Sequence, residues 1–342
     1  LDAVSYAHKN NIIIKGDLPI GVGRFSVDTW MNPHLFHMDM QAGAPPDAFA
    51  VKGQNWGFPT YNWELMQQND YAWWRQRMEH MSNYFDAIRI DHVLGFFRIW
   101  SIPMHSIEGV FGRFMPVHPL YSYDFETAGI NFNEDRFCKP WITDDIINHT
   151  FGENAQWVRD NILYGHSFKE AFNTQRKLEN YFKKDNSHIG TKAALFDLLS
   201  NVMLLKDENN PHQYHFRIGM QDTLSYKQLP GHEQHLLNEL YRKYFFETQN
   251  DLWYKEAQSK LDAIQRSADM LICAEDLGMV PDMVEDVLKS REILALQVQR
   301  MPKTSKDNFT NPRNAPYLCV VTPSTHDMST LREWWEEDRK MT

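Results

Sequence analysis

Four carboxylates stand at the ends of four hydrophobic runs in this chain. Asp17 follows Ile12-Ile-Ile-Lys-Gly, Asp91 follows Ala87-Ile-Arg-Ile, Glu275 follows Met270-Leu-Ile-Cys-Ala, and Asp327 lies beyond Tyr317-Leu-Cys-Val-Val. A charge at the end of a buried strand is costly unless it is paired. One such acid is an ordinary structural ion pair, and Arg89 is placed to make one with Asp91, since residues two apart on a strand share a face. Four are another matter, because the C-terminal ends of parallel barrel strands converge, and converging carboxylates repel and raise each other's pKa. With no Cys/His ligand set, such a cluster suggests either a hard metal site or glycosyl transfer. A retaining transfer needs one ionised carboxylate as nucleophile and one protonated acid about 5–5.5 Å away. Arg89 beside Asp91 favours the ionised form, and the apolar run before Glu275 favours the protonated one.

These acids need elements to hold them. Residues 2–10 read as a helix, followed by a strand that Pro19 and Gly21 stop just after Asp17. From about 25 to 63 runs a long loop rich in Gly, Pro, Asn and Trp, with Gly43-Ala-Pro-Pro-Asp47 and Gly53-Gln-Asn-Trp56-Gly-Phe-Pro59. Loops of this length inside a domain are usually functional. A helix over 69–84 leads into the strand at 87–91, and Phe96–Pro103 is a further apolar run. The texture then changes. Residues 105–140 are irregular, 141–165, 190–206 and 232–268 read as helices, and 176–189 is a polar connection. Strand–helix alternation resumes at 270, with a helix over 281–290, a strand over 293–299, a polar loop over 302–316, a strand over 317–321 and a last helix from about Met328. Hydrophobic strands alternating with helices imply a parallel sheet covered on both faces.

The chain has 342 residues, 42% hydrophobic, with a net charge of −10 from 35 Lys+Arg and 45 Asp+Glu. An acidic chain without a basic block argues against nucleic acid as main partner. No run of about 18 apolar residues is present to span a membrane. Cys138, Cys273 and Cys319 form no CxxC pair, which suggests a reducing compartment such as the cytoplasm and no metal cluster. The 11 Trp and 14 Tyr could be core or sugar-stacking platforms.

Gly16-Asp-Leu-Pro-Ile, Ala44-Pro-Pro-Asp, Gly53-Gln-Asn-Trp-Gly-Phe-Pro, Arg89-Ile-Asp-His, Ala274-Glu-Asp-Leu-Gly and Ser324-Thr-His-Asp occur in this order. Together they resemble the 4-α-glucanotransferases (amylomaltases, disproportionating enzymes) of glycoside hydrolase family 77. Met328-Ser-Thr-Leu-Arg-Glu-Trp-Trp-Glu-Glu-Asp is most similar to the long branch typified by the plant cytosolic disproportionating enzyme and its bacterial relatives. The resemblance implies an α/β fold, a partial TIM (β/α)8 barrel of about strands 3 to 7 with a mostly helical insertion. The parts would be 1–104, the first portion of the barrel with a substrate-covering loop over 25–63, then the inserted 105–240, then 241–342 as the second portion of the barrel. The insertion would account for the 184 positions between Asp91 and Glu275. As a piece of the barrel, the chain would be a partial catalytic domain.

The resemblance also implies roles. Asp91 would be the nucleophile, Glu275 the general acid and then base, and Asp327 a grip on sugar hydroxyls with His326 beside it. Arg89 would orient Asp91, Asp17 would line the same subsite, and Asp47 and Trp56 would belong to a loop over the acceptor side. No cofactor or metal is implied. The reaction would move glucosyl or maltosyl units between maltose, maltodextrin or glycogen-like glucans by double displacement. Two other readings stay open: an α-amylase-like retaining hydrolase, and a non-catalytic glucan-binding fragment. For Asp276, which points away from Glu275 on a strand, a capping or ion-pair role is expected. Trp73-Trp74 and Trp334-Trp335 are expected in the core.

Overall fold

The strands that carry the acids form one parallel series. In the computed structural model, which describes residues 1–47, 50–303 and 308–337, helix α1 (Asp2–Lys9) precedes strand β1 (Lys15–Leu18). Helix α2 (Ala72–Met81) leads into β2 (Ala87–Ile90), and helix α3 (Asn250–Gln265) into β3 (Leu271–Ala274). Helix α4 (Met283–Ser290), β4 (Ala295–Val298), β5 (Cys319–Thr322) and α5 (Leu331–Glu336) complete it. β2 lies between β1 and β3, parallel to both, and β4 is parallel to β5. A parallel bridge between Cys273 and Leu294 joins the two groups, with Ala274 N–H donating to the Leu294 carbonyl at 2.7 Å. Each crossover except the last passes through a helix, as parallel strands require. The fold is α/β. Ala87, Ile88 and Ile90 are at most 2% exposed, so β2 is a central strand and its Arg89 must be paired.

The chain divides into two compact units. The first holds residues 1–20, 63–97 and everything from Trp253 onward, and so contains all five parallel strands. Its core includes Trp74, Met78, Phe96, Leu261, Ile264 and Val284, each at most 1% exposed. Lys260 is equally buried; it pairs with Glu256 at 2.7 Å and lies over the Trp63 ring at 4.7 Å.

The second unit holds 21–62 and 98–252. Here the structure departs from the sequence reading. The loop expected over 25–63 contains a short helix, Val27–Met31, and the strand Met40–Ala44. That strand pairs antiparallel with Gln54–Asn55 and with the apolar Ile99–Pro103, which pairs in turn with Arg113–Met115. Met-Gln-Ala-Gly-Ala carries no β-branched residue, and the strand exists because the buried Ile99–Pro103 supplies its partner. The helix expected over 190–206 runs only from Lys192 to Leu199. It stops because Asn201 is committed elsewhere, its amide donating to the Trp141 carbonyl at 2.7 Å and accepting from Ser225 N–H at 2.8 Å; residues 204–206 then form a strand. Helices Asp144–Phe151, Ala155–Asn161, Gln175–Phe182 and Lys192–Leu199 enclose a core of Ile147, Val158, Leu178 and Leu195.

Trp74 is buried as expected, whereas Trp335 is 73% exposed on α5, a helix of six residues too short to bury both members of its Trp pair. Residues 304–307 of the polar loop, 48–49 of the 25–63 loop and Asp338 of the last motif lie outside the described residues. Among the described residues no helix is long and apolar enough to cross a membrane.

Candidate active site

Register puts the first acids together. Asp17 on β1 stands opposite Arg89 on β2. Residue 16, just before Asp17, leaves room for the Phe85 ring because it is glycine: a Cβ would lie 2.5 Å from that ring. Arg89 Nη1 donates to Asp17 Oδ1 at 2.8 Å and Nη2 pairs with Asp91 Oδ1 at 2.9 Å. The Arg89 side chain is 17% exposed. Burial disfavours its charge, yet the hydrogen bond to Asp17 and the negative charges of Asp17, Asp91 and Glu275 outweigh this and hold its pKa above the ordinary value. Asp91 is anchored at its backbone, where its N–H donates to the Leu18 carbonyl at 3.0 Å.

Beyond Asp91 the chain turns sharply. His92 adopts φ +47°, a left-handed conformation uncommon for a residue with a side chain, and starts the short helical turn Val93–Phe96. This turn aims His92 N–H at Glu275 Oε2, 2.8 Å away, and Val93 N–H at the Glu275 carbonyl, 3.0 Å away. Glu275 N–H donates to the Ile90 carbonyl at 3.0 Å, and Leu277 N–H donates to Glu275 Oε1 at 3.1 Å. The acid is thus stitched to the end of β2 by main chain and side chain alike.

The carboxyl is nevertheless largely withdrawn from solvent. Burial first, and the charge of Asp91 after it, push the Glu275 pKa up to about 7 against the opposing pull of the His92 and Leu277 amides and Arg89. So one of two neighbouring acids is ion-paired, and the other keeps its proton up to neutrality. That pairing suits proton donation beside a fixed anion.

Asp276 points to the other side of β3 and is 1% exposed. Its Oδ1 accepts from Leu296 N–H at 2.9 Å and its Oδ2 is ion-paired with Lys303, which fits the expected structural role.

The remaining candidates make contacts of their own. Asp327 and His326 are exposed, and their side chains lie 3.5 Å from one another. Asp47 and Trp56 belong to the second unit. The Asp47 Oδ1 accepts from Ala50 N–H at 2.6 Å. Trp56 stacks on Phe58 with ring centroids 5.6 Å apart, and its indole N–H donates to Gln54 at 3.0 Å. Two participants escaped the sequence reading: the His92 amide and Lys303. The first depends on a backbone angle that no residue type dictates, and the second on a contact 27 residues along the chain. Among the described residues, no group of three or more His, Cys, Asp or Glu is arranged to hold a metal ion.

The family model for 4-alpha-glucanotransferase, glycoside hydrolase family 77, matches residues 1–342. The chain belongs to this family. Among curated relatives, it is 42% identical to the 4-alpha-glucanotransferase DPE2 of Oryza sativa subsp. japonica over 98% of its own length and 37% of the rice protein. A 4-alpha-glucanotransferase of Streptococcus pneumoniae is 41% identical over 42% of the chain and 30% of that protein. The near-complete match to the rice relative, against the partial match to the pneumococcal one, agrees with the long-branch resemblance. The chain spans about a third of the length of these relatives. Among solved structures, amylomaltase from Corynebacterium glutamicum aligns over 98% of this chain and 29% of its own with a TM-score of 0.50 and 16% identity, a likeness of fold.

Proposed function

We propose that the protein to which this chain belongs is a retaining 4-α-glucanotransferase. The observation that carries the reading is the divergence of two neighbouring carboxylates: Asp91 paired with Arg89 at 2.9 Å, and Glu275 holding its proton to about pH 7. In this mechanism Asp91 attacks the anomeric carbon while Glu275 donates its proton to the departing glycosidic oxygen. The resulting β-glycosyl-enzyme is then opened by the 4-hydroxyl of a second glucan, whose proton Glu275 takes back. A pKa near neutrality makes both protonation states accessible at one working pH. Arg89 orients the nucleophile and Asp17 lines the same subsite. Asp327 and His326 grip sugar hydroxyls. Asp47 and Trp56 serve the acceptor side, where a covering loop keeps water from the intermediate.

The five parallel strands are read as part of a TIM barrel, about its strands 3 to 7, interrupted by a largely helical insertion over 105–240. The substrates are maltose, maltodextrins or glycogen-like glucans, the enzyme works without a cofactor, and it acts in the cytoplasm. Incubating the full-length protein with maltotriose tests the reading. Glucose together with a ladder of longer maltodextrins is expected. Accumulation of shorter products alone would replace transfer with α-amylase-like hydrolysis.

A further inference from the structure

The pair Asp276–Lys303 has no place in that mechanism, yet it is built into the strand end that carries the acid. We propose that Asp276 is the positioning residue of Glu275, clamping the end of β3 to β4 while Lys303 balances its charge. This rests on Glu275 being the acid.

The geometry supports the clamp from both sides. Glu275 faces the end of β2, and its carboxyl, N–H and carbonyl are all bound to His92, Ile90 and Val93. Asp276 faces the opposite way and accepts from Leu296 N–H at 2.9 Å. The dipeptide is therefore held between two neighbouring strands, and its torsional freedom is removed from both. Without the Asp276 contact, β3 would reach β4 through the main-chain bonds around Leu294 and Ile272, upstream of the acid. A carboxyl must be held within about half an ångström of its productive place for proton transfer to a bound oxygen.

The charge of Asp276 needs an answer of its own. It is 1% exposed and adjacent in sequence to Glu275, so an unbalanced carboxylate there would hold the proton on Glu275 too tightly. Lys303, an exposed residue on the loop after β4, supplies the balancing cation. The groups around the acid divide accordingly. Asp91, Arg89 and the His92 amide face it from β2, Asp17 reaches it only through Arg89, and the Leu277 amide comes from its own turn. Asp276 and Lys303 lie on the β4 side, with the Cys319 thiol of β5, itself pushed up by burial, sensing both charges.

The test uses the full-length protein and three variants, Asp276→Asn, Lys303→Met and Lys303→Arg, measuring maltotriose disproportionation from pH 5 to 9. Activity falls on the basic side as Glu275 loses its proton. Lys303→Met leaves the Asp276 charge unbalanced and should move that limb up by roughly half a unit. Asp276→Asn leaves Lys303 unbalanced and should move it down, with kcat about tenfold lower or more and KM within about twofold. Lys303→Arg should restore the parent profile. Lys303→Met is the arm that survives if Asp276→Asn folds poorly, since it alters an exposed loop residue. Limbs that stay in place, or that move in the same direction in both variants, overturn the positioning role. Glu275→Gln separates the two levels: if it retains parental transfer, the acid assignment itself fails, and if it is inactive while the limbs do not move, only the role of Asp276 fails.

Discussion

Arg113, in the second unit, is 5% exposed and its Nη2 lies 3.1 Å from Asp207 and 3.1 Å from Glu208. Arg89, in the first unit, holds Asp17 at 2.8 Å and Asp91 at 2.9 Å. Each arginine thus binds two acids, and each cluster has a histidine close in space. The consequences differ because of how the acids are solvated by the protein. Asp207 accepts from the Asn209 and Asn210 amides at 2.8 and 3.0 Å and meets His215 Nε2 at 3.1 Å, while His215 Nδ1 is 3.0 Å from the Tyr244 hydroxyl. The His215 contact foremost, with Arg113 and the two amides, holds Asp207 well below the usual carboxylate range despite burial. In the first unit Glu275 receives only two amides, and burial wins. A cluster in which every charge is answered is a structural joint. A cluster in which one acid remains under-solvated keeps a proton to give away.

The sharpest way to break this contrast is at Asp91. Asp91→Asn keeps the shape but removes the proposed nucleophile, and transfer by the full-length protein should fall by about a thousandfold or more. Parental kcat in that variant would dissolve the distinction between the clusters. Glu275→Gln should cost about a hundredfold to ten-thousandfold in kcat. The parent itself should lose kcat/KM as pH rises through about 7, the value Glu275 takes when burial and Asp91 act on it. A profile flat from pH 6 to 8.5 would mean that this proton is not the one transferred.

How far the sequence foretold this differs from one residue to the next. Arg89 and Asp91 were readable as neighbours because residues two apart at a strand end share a face, and Asp17 as an acid closing another apolar run; that Asp17 stands opposite Arg89 is a matter of strand register. Glu275 was readable as a carboxyl with a raised pKa because the four apolar residues before it announce burial. What could not be read is how they meet. The left-handed turn at His92 is set by the packing that follows β2, where Val93 and Phe96 are fully buried; histidine tolerates that conformation better than most residues but does not dictate it. Lys303 reaches Asp276 from a polar loop with no periodicity. The short strands within 25–63 are held by a partner near 100 in sequence, a non-local pairing that composition does not reveal.

The two clusters should also differ in where their instability lies on the pH scale. Asp207→Asn leaves Arg113 and His215 facing a weaker acceptor, and a buried ion pair broken on one side costs about 3–5 kcal/mol. That cost should show in denaturant unfolding near pH 7, with kcat of the folded protein within about twofold of the parent. Asp207 has a depressed folded-state pKa, so its contribution is present above the unfolded value of about 3.8 and fades as pH falls below it. Glu275 runs the other way. Its folded pKa is raised from 4.5 to about 7, so the stability it confers when protonated is complete below about 4.5 and is lost as pH climbs through 7. The loss amounts to at most about 3 kcal/mol. Glu275→Gln cannot ionise and should be spared it. The stability of the Gln variant relative to the parent should therefore rise between pH 5 and pH 8.5. If the gap between Glu275→Gln and the parent is the same at both pH values, the carboxyl is solvated as fully as Asp207, and the first unit's cluster is a structural joint like the second's.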